Sequence, residues 1–194
     1  ISRLGNREQA RALAMIVHAL PGSLYIYQGE ELGLEDGELE VSERQDPICL
    51  RTNGADLGRD GARVPIPWNS EAENLGFTTG TPWLPIREAY ALHAMDVEAD
   101  NPDSTLNLYL QSLFLRKNHP GLGAESGISF NDAPDGVLSF NRDEGIEVLA
   151  NTTDEEIQMD LGEDAEIILQ SGTEAYVENQ ILFLPANNTV WLQS

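Results

Sequence analysis

Near Gly123 the hydrophobic period of this 194-residue chain changes from that of a helix to that of a strand, and the change restricts the fold more than any other feature. Beyond it come the short runs VLSFN, IEVLAN, EIQMDL, AEIILQS, ILFLP and TVWLQ, each with period-2 character and each bounded by turn residues. Asp135-Gly136, Glu144-Gly145 and Ser171-Gly172 are the dipeptides expected between antiparallel strands. The segment therefore reads as a small antiparallel β domain. The acidic run Asp154 to Glu156 reads as a solvated turn in it rather than a metal site.

The first part has another organisation. Asn6 followed by Gln9 marks a helix start, and Ala10, Leu13, Ala14, Val17 and Leu20 recur at helical spacing until Pro21-Gly22 ends the pattern. Leu24 to Gln28 is short, apolar and aromatic, as a strand covered on both faces would be. A helix-to-strand step through a tight Pro-Gly turn is half of an α/β unit. From Leu34 to about Asp103 regular periodicity disappears, which inside a compact domain points to a functional loop, with Trp68 and Trp83 expected as its packing anchors. Asp103-Ser104 then caps a second helix in which Leu106, Leu110, Leu113, Phe114 and Lys117 share a face, ended by His119-Pro120-Gly121.

With 33 acidic and 11 basic residues the formal net charge is −22, and Lys117 is the only lysine. Nucleic acid and anionic membranes would be repelled, so a neutral partner fits better. Cys49 stands alone, which excludes an internal disulfide and a cysteine-based zinc site and leans toward a cytoplasmic setting. No apolar run approaches the roughly 20 residues of a spanning helix, so a soluble chain is expected. The opening at Ile1, with neither Met nor a signal-peptide pattern, leads to the expectation of a fragment whose natural start lies upstream.

In α/β barrels the loops leaving the carboxyl ends of strands build the active site, which puts Gln28, Glu30 and Glu31 where ligand groups commonly lie. A capped turn on an exposed rim accounts for the same residues equally well. In GRDGARVP, Arg59, Asp60 and Arg63 form either an ion-pair network bracing a loop or a bidentate clamp for hydroxyls or a carboxylate.

The stretches LPGSLYIYQGEELGL, RQDP, GRDGARVPIPW and GFTTGTPWLP, and a helix ending LFLRKNHP, occur in that order. Together they resemble the last part of α-glucosidases of glycoside hydrolase family 13, the α-amylase superfamily, and most of all exo-acting oligo-1,6-glucosidase-like and maltose- or sucrose-cleaving members. The resemblance implies an α/β plus all-β fold: the C-terminal portion of a (β/α)8 TIM barrel over residues 1–122, then an antiparallel β-sandwich domain over 123–194. Residues 6–20 would be the seventh barrel helix, 23–28 the eighth strand, 34–103 the long loop after it and 104–118 the eighth helix.

The family's chemistry is retaining hydrolysis by a carboxylate nucleophile and a carboxylic-acid proton donor, roughly 5 to 5.5 Å apart. The motifs that carry these groups, and the family's Asn-His-Asp motif, are missing here; His18, His93 and His119 stand in other contexts. His119 reads as a residue of a helix end, favoured by the helix dipole. The catalytic carboxylates are thus expected upstream of Ile1, and no catalytic residue, metal or cofactor is assigned to this chain. Glu30 and Glu31 are not the catalytic pair, because adjacent residues project in different directions and nothing in the loop separates their pKa values. By resemblance Glu30 lies beside the leaving-group subsite, Gln28 is a further substrate-binding candidate and Glu31 is structural. Arg59 would form the floor of the pocket for the non-reducing glucose, paired with an aspartate from an early barrel loop, while Arg63 would be a scaffold ion pair and Cys49 a packing residue.

The expected partners are an α-glucoside oligosaccharide or sucrose and the remainder of the parent chain. Nucleic acid and membrane are excluded, self-association of the fragment is possible, and the chain alone is expected to be inactive. Two other readings stand beside this one. A non-catalytic carbohydrate-binding or interaction module would need exposed aromatics in a row on the β domain, whereas the spacing of Phe183 and Trp191 looks like core. For a glucosyl-transferring or isomerising relative, the motifs that would decide are expected upstream of Ile1.

Overall fold

The computed structural model describes Ser2 and residues 4–194. These fold as two compact units, one of Ser2 and residues 26–107, the other of residues 4–25 and 108–194. The second unit thus combines the β strands with helices from both sides of the long loop, a grouping set by packing rather than by chain order.

Its helix α1, Arg7–Ala19, begins where the sequence predicts, with Asn6 Oδ1 accepting the Gln9 N–H at 2.8 Å. After the short helices α2 (Pro47–Arg51) and α3 (Met95–Asp100) of the first unit, helix α4, Thr105–Asn118, begins in the first unit and runs through the second. All six strands expected after Gly123 form: β2 (Val137–Arg142), β3 (Ile146–Asn151), β4 (Ile157–Asp160), β5 (Glu166–Gln170), β7 (Ile181–Leu184) and β8 (Asn188–Gln193). Two three-residue strands, β1 (Ile128–Phe130) and β6 (Tyr176–Glu178), were not expected, and both lie at sheet edges.

The strands make an antiparallel five-stranded sheet in the order β1-β2-β3-β8-β5 and a three-stranded sheet β4-β7-β6. Alternation along the strands supplies two cores. Leu149, Val190 and Leu192 point at Leu182 and Leu184 of the smaller sheet. Phe140, Ile146, Val148 and Trp191, on the opposite face, meet Met15 and Ala19 of α1 and Leu108 of α4. The central strands β3 and β8 are apolar on both faces for this reason. Trp191 is fully buried and donates its indole N–H to Met15 O at 3.2 Å, and Thr189 donates to Ala12 O at 3.0 Å, so α1 is fastened to β8 by polar bonds as well.

The C-terminal carbonyls of α1 have no partners within the helix, and two guanidinium groups take them over. Arg116 donates to His18 O, Leu20 O and Gly22 O. Arg142, a buried residue, donates to Ala19 O and to Gly123 O, Ser126 O and Gly127 O. Between the helices lies buried His18, edge-on to Tyr109, with Nδ1 2.7 Å from Ser112 Oγ. The Ser112 hydroxyl donates to Tyr109 O at 3.0 Å, so it accepts from His18, whose proton is therefore on Nδ1.

Burial, aided by the Arg116 charge, lowers the His18 pKa from 6.5 to about 4. The unfolded chain thus binds one proton more between those values, and stability is lost as pH falls through that window. The loss amounts to about 1.4 kcal/mol per pH unit, roughly 3 kcal/mol in all, with no His18 contribution to the slope above pH 6.5. His18→Asn, whose amide nitrogen takes the place of Nδ1 and can still donate to Ser112, is expected to remove this part of the acid sensitivity. Denaturant unfolding at pH 7 and pH 4.5 checks it; an unchanged pH slope in the variant would be the contrary result.

The expected strand at Leu24, the expected face of α4 and the tryptophan anchors need correction. Leu24 to Gln28 forms no strand: residues 23–27 have no ladder partner among the described residues, and Tyr25 is 89% exposed. A strand of a parallel sheet exists only through its neighbours, and the apolar run alone cannot supply them. On α4 the buried face is Leu108, Tyr109 and Ser112, whereas Leu110 and Phe114 of the expected apolar face are 55% and 65% exposed. Trp68 and Trp83 are exposed; the loop instead packs around Val64, Leu75 and Tyr90, with Leu34 and Ile86 against them. Among the described residues no helix is long and apolar enough to cross a membrane.

Candidate functional site

The QGEE residues lie in a chain reversal of the first unit. Glu30 N–H donates to Tyr27 O, Gly33 N–H to Glu30 O and Leu34 N–H to Gly29 O, at 3.2, 3.0 and 3.0 Å. Gly29 has φ +86° and runs against Leu34, where a Cβ would lie 3.2 Å from the leucine side chain. Leu32 is buried and anchors the reversal, while Gln28 and Glu30 are exposed. Gln28 Nε2 donates to Val64 O at 3.1 Å, tying the turn to the end of GRDGARV. Partial desolvation raises the Glu30 carboxyl above the ordinary glutamate value, offset in part by a Tyr27 N–H and increased by the Glu31 charge. Glu31 is half-buried, and its Oε2 is buried without a hydrogen-bond partner among the described residues.

RQDP and GRDGAR are fastened to each other by two aspartates acting in opposite directions. Asp46 Oδ1 caps α2 (Pro47–Arg51) by accepting the Ile48 N–H at 3.0 Å. Its Oδ2 accepts the Arg59 backbone N–H at 3.0 Å and Arg63 Nη1 at 3.2 Å. Asp60 is buried, and its Oδ2 accepts the N–H groups of Gln45 and Asp46 at 2.6 and 2.8 Å. The bonds from the Ile48 and Arg59 N–H groups, and then the arginine charges, hold the Asp46 carboxyl below the usual aspartate value. Arg44 Nη1 adds a bond to Leu57 O at 3.1 Å. Arg63 is thus the scaffold ion pair expected, and Cys49 is a buried packing residue of α2.

Arg59 differs from its neighbours. Its backbone is bound on both sides, yet the residue is exposed and its guanidinium has no hydrogen bond or ion pair among the described residues. No such bond links it to Glu30 or to Gln28 among the described residues, so the three candidates share one unit without being hydrogen-bonded to one another. Asp46 was not singled out from the sequence. Its signal is Asp followed by Pro at the first position of a helix, the pattern of an N-cap. No cluster of three or more His, Cys, Asp or Glu suited to a metal ion occurs among the described residues.

The model of the α-amylase catalytic domain matches residues 1–125. The chain belongs to the α-amylase family. A probable α-glucosidase of Rhizobium meliloti (strain 1021) is 38% identical over 149 residues, covering 75% of this chain and 27% of that protein. The oligo-1,6-glucosidase of Bacillus cereus is 32% identical over 190 residues, 84% of this chain and 34% of its own length. The chain therefore spans about a third or less of these curated relatives. Among solved structures, the α-glucosyl transfer enzyme XgtA superposes over 100% of this chain and 38% of its own, with a TM-score of 0.84 and 30% identity. Trehalose-6-phosphate hydrolase of Bacillus licheniformis, at 24% identity and a TM-score of 0.80, shares the fold.

The fold class is accordingly the last part of the α-amylase family's (β/α)8 barrel followed by an antiparallel β domain. In a closed barrel the inner faces of helices cover strands, and each strand is paired by its neighbours. Leu13 and Val17 on α1 and Leu110 and Phe114 on α4 are exposed apolar residues of the kind such strands would cover.

Proposed function

We propose that this chain supplies subsite walls of a retaining α-glucosidase that releases terminal α-linked glucose from oligosaccharides or sucrose. In this reading residues 1–122 belong to the barrel and 123–194 form the C-terminal β domain. The nucleophile and the acid come from sequence outside these 194 residues, which serve with the remainder of the parent chain in the cytoplasm and without a cofactor. The observation that carries the reading is Arg59, whose backbone is fixed while its exposed guanidinium fork is left for other partners. Such a fork can hold a carboxylate and a sugar hydroxyl together, closing the floor of a pocket that admits one terminal glucose. Glu30 is proposed for the leaving-group side. Gln28 donates through Nε2 to the scaffold, which leaves its carboxamide oxygen for a hydroxyl.

The test is glucose release from maltose, isomaltose and sucrose by the full-length protein, with NMR detecting the α-anomer as first product. The isolated 194-residue chain is expected to release none, because retaining hydrolysis needs both carboxylates. Robust release by the isolated chain would overturn the reading.

The likeness to an α-glucosyl transfer enzyme over the whole chain favours a second reading, transfer of the glucosyl group to an acceptor hydroxyl instead of water. Adding a non-sugar alcohol as acceptor and measuring the ratio of glucoside to free glucose separates the two. The carbohydrate-binding module reading finds less support. Trp191 is core as expected, but Phe183 is not: it alternates with the buried Leu182 and Leu184 on β7 and stacks on exposed Tyr176 with ring centroids 4.5 Å apart, one pair among the described residues where a row of aromatics would be needed.

A further inference from the structure

The loop that carries Arg59 has little apolar anchorage. Between Thr52 and Asp60 no hydrophobic side chain is buried, Leu57 is exposed, and the backbone passes through positive φ at Asn53, Gly54 and Gly58. What fixes the Arg59 backbone is therefore polar: its N–H on Asp46 Oδ2, the Asp60 carboxylate on the N–H groups of Gln45 and Asp46, and Arg44 on Leu57 O. The two carboxylates close a reciprocal clasp, each gripping the backbone of the segment that carries the other. The segments are so close that a Cβ on Gly58, at φ +66°, would lie 2.5 Å from Asp46 Cγ. Gly61 O, two residues beyond Arg59, also accepts the Gly37 N–H at 2.8 Å, which extends the tie toward the QGEE turn.

We propose that Asp46 and Asp60 are positioning residues for Arg59, which set where its guanidinium meets the terminal glucose of the substrate. The inference rests on the pocket-floor reading of Arg59. Neither aspartate need touch sugar. With the clasp open, Arg59 keeps its charge but loses its place, and a misplacement of about 1 Å in a group that orients substrate can lower turnover on the order of 100-fold. An arginine that only needed to be nearby would tolerate a loose loop.

A double-mutant cycle in the full-length enzyme tests this. Asp60→Ala is expected to lower kcat/KM for maltose by about 10–100-fold, with KM raised, because the cost falls on the orientation of bound sugar. Asp60→Asn keeps an oxygen for the Gln45 and Asp46 N–H groups and is expected to recover to within about threefold. In an Arg59→Ala background, Asp60→Ala should cost less than about twofold more, since the group it positions is gone. An equal loss from Asp60→Ala in both backgrounds would overturn the proposal while leaving the pocket role of Arg59 intact. No loss from Arg59→Ala would remove the pocket role, and the proposal with it. Should Asp60→Ala fail to fold, Gly58→Ala replaces it in the same cycle, because the added Cβ forces the loop away from Asp46.

Discussion

Arg59→Ala in the full-length enzyme is expected to lower kcat/KM for α-glucosides by about 100- to 1000-fold, which corresponds to roughly 3–4 kcal/mol of lost transition-state stabilisation. Stability should hardly change, because the side chain is exposed and carries no hydrogen bond or ion pair among the described residues. The combination is diagnostic. A bracing arginine such as Arg63, paired with Asp46 at 3.2 Å, would show the reverse pattern of altered stability and near-normal chemistry. Arg59→Lys should recover little, because one ammonium cannot hold a carboxylate and a hydroxyl in the fixed plane of a guanidinium fork. Steady-state kinetics together with a thermal melt decide the matter, and unchanged kinetics in a folded variant would refute the role.

How much of this was legible in the sequence follows from where each signal resides. Strands in the second half were readable because both their alternation and their turns are local: the Asp135-Gly136 and Glu144-Gly145 turns flank β2 and β3 directly. The edge strands β1 and β6 escaped because three residues are too few to display a period, and an edge strand need satisfy only one neighbour. Helix α1 was found, but its packed face was not. Ala12, Met15, His18 and Ala19 face the interior, and spacing arguments favoured Leu13 and Val17 because those are the larger and more regular apolar residues. A helix with two useful faces gives one dominant periodic signal, and its close contacts fall on small or polar residues such as Ser112 and Ala19.

The candidate site was legible in part for the same reason. Gln28, Glu30 and Arg59 stood out by their motif contexts, whereas the roles of Asp46 and Asp60 depend on hydrogen bonds over separations of 13 to 15 residues. Local rules locate Asp46 as a helix cap but cannot see its second oxygen. Trp68 and Trp83 misled because large aromatics usually pack inside, and in this unit Val64, Leu75 and Tyr90 take that place.

Arg142 was invisible to every local rule, and its replacement is expected to give the largest stability change in the β-rich unit. The residue is 4% exposed, and its partners are carbonyls of Ala19, Gly123, Ser126 and Gly127, contributed by a helix end and a distant loop. No carboxylate lies within ion-pair distance among the described residues. Burial, with the Arg116 charge, pushes its pKa down, and the Asp143 charge acts in the opposite direction. What balances the buried cation is a set of carbonyl dipoles, those of the α1 C-terminus among them, where the macrodipole favours positive charge. Arg142→Ala would leave the buried Ala19 carbonyl, and in part those of the half-buried Gly123 and Ser126, without a donor, at about 1–3 kcal/mol for each that water cannot reach, so a loss of roughly 3–5 kcal/mol is expected. Arg142→Lys should recover less than half of it, because a single ammonium cannot span a helix end and a loop at once. Arg142→Met, of similar length and apolar, separates charge from packing: if it proves as stable as the native protein in denaturant unfolding, the carbonyls have other partners, and the guanidinium is not what holds α1 to the sheet.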